Sequence, residues 1–227
     1  SDTGKFKDHG RFLLMIGLYS GFWVLYFQMF DSVLWYVKAY VDAEGLNSAV
    51  NSMFTAVGLE GNWRFDIEHV TVINAGTIIA LQLIISSIVK NTRAMPTMIT
   101  GITMGTIGMA ILAISTGIWT FIAGIVIFSV GEMTCHPKYY SYIGLVAPED
   151  KKAVYMGYAF LYGVIGSLFG SNLGGEMNTA LLKPQDGQTG VDSSLRNFWL
   201  IFAVIGVVTA FIVYVYNKLF GVDTAVT

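Results

Sequence analysis

Residues 119–147 read WTFIAGIVIFSVGEMTCHPKYYSYIGLVA, an apolar run long enough to cross a bilayer and interrupted near its middle by Glu132, His136, Pro137 and Lys138. A charge at the centre of a membrane helix costs roughly 2.5–3.5 kcal/mol on insertion scales, so one that persists usually faces a cavity, a partner or a substrate. Glu132 and His136 are four residues apart, which stacks them one turn above the other on a single helical face. Pro137 has no backbone N–H and frees a carbonyl about four residues upstream, where the helix can bend. The stretch predicts a kinked, polar, mid-membrane helix at a binding site.

The rest of the chain agrees with a membrane setting. Its 227 residues are 54% hydrophobic and only 12% charged, against about 25% charged in an average soluble domain. Apolar runs of about 20 residues mark transmembrane helices, and six are placed at about 11–38, 69–90, 96–116, 119–147, 152–182 and 197–218. No alternating strand pattern competes with them, so the fold class is an all-α membrane protein and not a β-barrel. The net charge of −2 is too small, and the charges too dispersed, to imply a nucleic-acid surface, so no nucleic-acid partner is expected. Cys135 is the only cysteine and sits in a helical run, where a buried inert thiol is expected. The opening SDTGKFKDHG reads as a linker, residues 1–10, and not as a targeting segment; residues 219–227 read as a tail.

The joints set the expected topology. Lys5, Lys7, Arg11, Lys90, Arg93, Lys151, Lys152 and Lys218 fall on one side, against Lys38, Arg64, Lys183 and Arg196 on the other. The second side also carries Asp42, Glu44, Glu60, Asp66 and Glu68, and the positive-inside rule then puts both termini in the cytoplasm. The acidic connection at about 40–68 reads as a solvated linker, in which NSAVNSMFTAVG is the one stretch with the makings of a surface helix. LKPQDGQTGVDSSLRN reads as a flexible turn.

Within the helices, Gln28, Asp31 and Trp35 recur at i, i+3 and i+7 and put an amide, an acid and a ring on one stripe. Asp31 either lines a polar cavity or pairs with a basic residue on a neighbouring helix, Lys138 being a conceivable partner. Trp35, Tyr36 and Tyr40 read as interfacial anchors. Asn74 and Gln82 lie eight apart, near one face of the second helix. Gly101, Gly105 and Gly108 in the third have the spacing that lets helices approach closely. In the fifth, Tyr155 reads as an interfacial anchor, while Tyr158 and Tyr162 lie deeper and are placed to hydrogen-bond a substrate. The sixth has no charge within its apolar run and looks structural.

Four stretches resemble the C-terminal half of a major facilitator superfamily transporter, and within it the proton-dependent oligopeptide transporters. FWVLYFQ at 22–28 resembles the start of that family's seventh helix, INAG at 73–76 its eighth, and RAMPT at 93–97 its entry into the ninth. The most specific is GEMTCHPKYYSYIGLVAPEDKKAVYMG at 131–157, which resembles the tenth helix, the following loop and the entry to the eleventh. Departures from the family pattern are Met29 and Phe30 in place of its second glutamine and glycine, and Ala75 in place of a proline. An acidic residue late in its seventh helix falls near Lys38, and His136 stands before Pro137 where the family has serine.

The resemblance implies two three-helix repeats forming one half of a major facilitator fold, with the N-terminal six-helix half and membrane lipid as partners. The location it implies is a bacterial inner membrane. It also implies a proton-coupled symporter for di- and tripeptides or related small amine-bearing solutes, with no cofactor beyond the proton gradient. Glu132 matches the glutamate that receives a peptide's amino group, and Asn74 an asparagine that binds its backbone. An acid in apolar surroundings suits such exchange of a proton against a ligand. Glu132, Asp31 and His136 are the proton-coupling candidates, histidine because it titrates near neutrality. Trp23, Gln28, Tyr158 and Tyr162 complete the expected substrate-binding set. Three other readings stay open: a major facilitator transporter for a drug, sugar or organic anion with Lys138 as the attracting charge, a non-transporting scaffold subunit, and an intramembrane enzyme. The last lacks any HExxH or GxSxG pattern, so no catalytic residue or metal site is expected.

Overall fold

Apolar length dictates the architecture: the structure, a computed structural model, has six helical segments long and apolar enough to cross a membrane. It describes residues 2–183 and 192–221, with side chains from residue 9 onward. The tail beyond 221, half of the expected turn between the last two spans, and the side chains of Lys5 and Lys7 lie outside the described residues. The helices are α1 (Asp2–Gln28), α2 (Ser32–Tyr40), α3 (Glu44–Ala56), α4 (Glu68–Val89), α5 (Ala94–Leu112), α6 (Ile118–Val146), α7 (Lys152–Ala159), α8 (Leu161–Met177) and α9 (Ser193–Phe220). A wider turn at Asn178–Leu182 extends α8. α1 with α2 forms one span, α7 with α8 another, and α4, α5, α6 and α9 one each. Among the described residues the only extended pairing is a single bridge between Asp42 and Gly117, which ties the end of α2 to the start of α6.

Three expectations are corrected. The first concerns the chain start and the first span: α1 begins at Asp2, so the presumed linker is helical, and the run 11–38 is broken between Gln28 and Ser32. There the amides of Met29, Phe30 and Asp31 bond back to Tyr26, Phe27 and Phe27, tightening the turn, and Asp31 leaves helical geometry at φ −113, ψ −85. Neither glycine nor proline marks the spot. Beyond it Tyr36 and Tyr40 are buried, Tyr36 edge-on to Trp199 with centroids 5.1 Å apart and Tyr40 donating to the Leu182 carbonyl, so of the three expected anchors only Trp35 is exposed.

The second correction is at Phe160, where the fifth span also breaks. Tyr155 and Tyr162 are buried, Tyr155 against Phe12, whereas Tyr158 is 57% exposed. Tyr158, expected beside Tyr162 at a substrate, is therefore on the open side of the helix, and Tyr155 is packed inside and not at an interface.

The third is the acidic connection, which is folded. Just past the end of α3, Gly58 has a φ of +79, the left-handed geometry of a helix stop. The amides of Gly58 and Leu59 turn back to the carbonyls of Thr55 and Phe54, as that stop requires. The returning chain is then clamped by asparagines of α3. Asn51 accepts from the Trp63 amide at 2.8 Å and donates to the Trp63 carbonyl at 2.9 Å, and Asn47 accepts from the Phe65 amide at 2.8 Å.

Packing follows the order α4, α6, α5, α9, α1, α8, with α1 also touching α5 and α6 to close the core. α4 and α8 thus flank the row, each with an uncovered apolar side that includes Ile79 and Leu83 on α4 and Leu168 and Phe169 on α8. The start of α1 and the end of α9 meet: Tyr216 donates to the Arg11 carbonyl at 3.1 Å, and the Arg11 guanidinium lies over the Phe220 ring. That places the two chain ends on one side of the bundle.

Candidate functional site

The middle of α6 presents its polar residues to α4 on one side and to α1 and α8 on the other. Asn74 of α4 donates through Nδ2 to Ser129 Oγ at 2.7 Å and to Glu132 Oε2 at 3.4 Å. Ser129 Oγ in turn donates to the Ile125 carbonyl one turn back. Glu132 is half-buried, and among the described residues no cation pairs with it. A carboxylate offers about four acceptor positions, and this one receives a single long hydrogen bond. Its remaining capacity and its charge are open to a donor from outside.

One turn further on, His136 enters an aromatic cluster built from α1, α6 and α8. Tyr19 Oη lies 3.0 Å from His136 Nδ1. The Trp23 ring stands edge-on to the imidazole with centroids 5.3 Å apart, and packs on Tyr26 at 4.2 Å and Tyr162 at 4.6 Å. The hydroxyls of Tyr140 and Tyr162 are 3.2 Å apart. Cys135 is fully buried behind this cluster, its Sγ 3.7 Å from Tyr19 Oη. Among the described residues no three metal-ligating side chains gather.

Glu132, Asn74, His136, Trp23 and Tyr162 are thus brought to one region, and three other expected site residues are not. Gln28 is wholly buried and fully engaged: Nε2 donates to the carbonyls of Val24 at 2.9 Å and Gly170 at 3.0 Å, and Oε1 accepts from Ser32 at 2.6 Å. It joins α1 to α8 and has nothing left for a ligand. Asp31 accepts from Ser171 Oγ of α8 at 2.6 Å, which replaces the conceivable pairing with Lys138. Tyr158 stands outside the cluster on the open side of α7. Gln82 is likewise used within its own helix, donating to Ser86 at 2.9 Å.

No protein-family model matches this chain, and no curated protein does. The functional reading accordingly rests on the residues themselves.

Lys138 has a separate task. It is only 4% exposed, and its Nζ donates to the carbonyls of Thr92 at 2.7 Å and Lys90 at 3.3 Å, in the turn joining α4 to α5. A cation suits the unsatisfied carbonyls at a helix C-terminus. Its charge is spent there and is not offered to the Glu132 region. Lys138→Met keeps the stem and removes the ammonium; it is expected to destabilise the protein by about 1–3 kcal/mol. Thermal unfolding should record the loss, and faster hydrogen exchange should be confined to the 90–93 turn.

Ser129, Tyr19, Tyr26 and Tyr140 belong to the site as well, beyond the residues expected from the sequence. Helical spacing carried the signal for each. Ser129 is three residues before Glu132, Tyr140 four after His136, and Tyr19 and Tyr26 are four before and three after Trp23.

Proposed function

We propose that this chain is the C-terminal six-helix half of a major facilitator transporter that couples protons to the uptake of small peptides or related amine-bearing solutes. The observation that carries the reading is Glu132: a half-buried carboxylate midway along a membrane helix, held by one amide and lacking any cation among the described residues. Such a group is tolerated at that depth when a ligand or a proton neutralises it. An ammonium on the substrate does so in the loaded state, and a proton does so in the empty one. The proton that the ammonium displaces passes to a second acceptor of the complete transporter and crosses with the substrate, which makes the coupling symport and not exchange. The uncovered sides of α4 and α8 take the N-terminal half, and the two halves rock about a midplane site. Both chain ends then face the cytoplasm of a bacterial cell, in keeping with the basic residues at the 90–93 and 151–152 joints.

The reading is tested with the complete transporter in proteoliposomes. An inside-alkaline gradient should drive accumulation of labelled alanylalanine, and N-acetylation of that dipeptide, which removes the ammonium, should abolish it. Uptake that ignores the gradient, or that prefers the acetylated ligand, overturns the proposal.

A further inference from the structure

His136 is where this chain departs from the family it resembles, and its surroundings favour one placement of the ring hydrogen. Tyr19 Oη has two neighbours capable of accepting its proton, His136 Nδ1 at 3.0 Å and Cys135 Sγ at 3.7 Å. A neutral imidazole nitrogen is a far better acceptor than a thiol sulfur, and the thiol has its own outlet toward the Glu132 carbonyl at 3.8 Å. With Tyr19 donating to Nδ1, the hydrogen of the neutral imidazole sits on Nε2. No hydrogen bond to Nε2 is made among the described residues. The Trp23 indole N–H, more than nine-tenths buried and packed against the same imidazole, likewise has no acceptor. A buried indole N–H without an acceptor and an imidazole Nε2 without a protein partner thus stand one helical turn from a carboxylate that lacks a cation. Buried donors without acceptors are rare in folded proteins and call for an explanation.

We propose that His136, held as its Nε2–H tautomer by Tyr19, is a specificity-determining donor that receives a carbonyl oxygen lying next to the ammonium bound at Glu132. Four residues of helix separate the two groups by about 6 Å along the axis. The preferred substrate is then an amine with a carbonyl within that reach, as in a peptide or an amino-acid amide, and a simple alkylamine is a poor one. Trp23 closes the same spot from α1, its N–H available to the same oxygen. This inference rests on the reading of Glu132 as the ammonium anchor.

The test compares two ligands on the complete transporter: alanylalanine, and its alkene isostere in which the amide CO–NH is replaced by CH=CH. Both keep the ammonium. Equilibrium binding to the wild type should favour the dipeptide by about tenfold or more. His136→Ala should bring the dipeptide down to the affinity of the isostere and leave the isostere unchanged. His136→Gln, which restores an N–H donor, should recover part of the preference, and Tyr19→Phe, which releases the tautomer, should reduce it several-fold. A preference that survives in His136→Ala overturns the role of His136 while leaving the anchor standing. Failure of the anchor has a different signature, since both ligands then bind Glu132→Gln as well as they bind the wild type. Variants that elute as folded, monodisperse protein but bind neither ligand would also count against a role confined to carbonyl recognition.

Discussion

Glu132→Gln is expected to weaken dipeptide binding by about 100-fold or more and to end gradient-driven accumulation. The substitution conserves shape, and a glutamine oxygen still accepts from Asn74, so the α4–α6 contact made through Asn74 and Ser129 persists. What disappears is one charge. Removing one partner of a desolvated charge pair typically costs 2–5 kcal/mol, and 100-fold corresponds to about 2.7 kcal/mol. Two controls separate this from a folding defect. An N-acetylated dipeptide, which has no ammonium, should bind variant and wild type alike. The pH dependence should also change: dipeptide binding to the wild type weakens as pH falls, because protonating the carboxylate removes the attraction, whereas binding to the variant has no such limb. Equal affinities and matching pH profiles for the two proteins would remove Glu132 from the mechanism.

The parts of this fold that a linear sequence displays are those fixed by local physics. Six spans follow from the length of apolar runs, and the conflict of Glu132 with its surroundings is visible because neither the run nor the charge needs a partner to be recognised. The spacing of Gly101, Gly105 and Gly108 announced a close helix contact, which α6 supplies. What stayed hidden depends on residues far along the chain. Gln28 reads as a free amide until Gly170 and Ser32 take its hydrogens and its oxygen. Lys138 reads as an intramembrane charge until the carbonyls of Lys90 and Thr92 absorb it. The break at 29–31 carries no glycine or proline, and the helix instead stops where Gln28 and Asp31 are drawn to α8. The connection around α3 reads as a linker because the asparagine clamps that fold it reach forward to Trp63 and Phe65, beyond any helical period. Of the expected site, Glu132 and Asn74 come together across two helices, while Tyr158 is lost to a break at Phe160 that nothing near it signals.

Gly131→Ala should unfold or grossly destabilise the bundle, although it adds a single methyl group. α5 and α6 make the most extensive contact in the structure, and they do so backbone to backbone. A Cβ on Gly131 would lie 2.5 Å from the Gly105 nitrogen, 2.6 Å from the Gly101 oxygen and 3.1 Å from the Gly105 Cα. Every one of these is main chain, so no side chain can swing away. The same holds across the contact, where a Cβ on Gly101 would meet the Cys135 nitrogen at 2.5 Å and one on Gly108 the Gly124 oxygen at 2.8 Å. Relief requires the two helices to separate along their shared length, giving up close packing that small residues alone permit in a membrane. Overpacking usually costs 1–3 kcal/mol when side chains can yield, so about 3 kcal/mol or more is expected where they cannot. Gly163→Ala makes the same chemical change at a helical position with nothing within 4 Å of the new methyl. There alanine's better helix propensity, about 1 kcal/mol over glycine, should leave stability equal or higher. Thermal unfolding of the two variants in one detergent decides the matter. Gly131→Ala should melt well below the wild type or lose its monodisperse peak, while Gly163→Ala melts at or above it. Because Gly131 immediately precedes Glu132, any Gly131→Ala protein that does fold should also bind the dipeptide more weakly, since separating α6 from α5 displaces the carboxylate from Asn74. Equal melting of the two variants would show that the helices do not meet at the glycines.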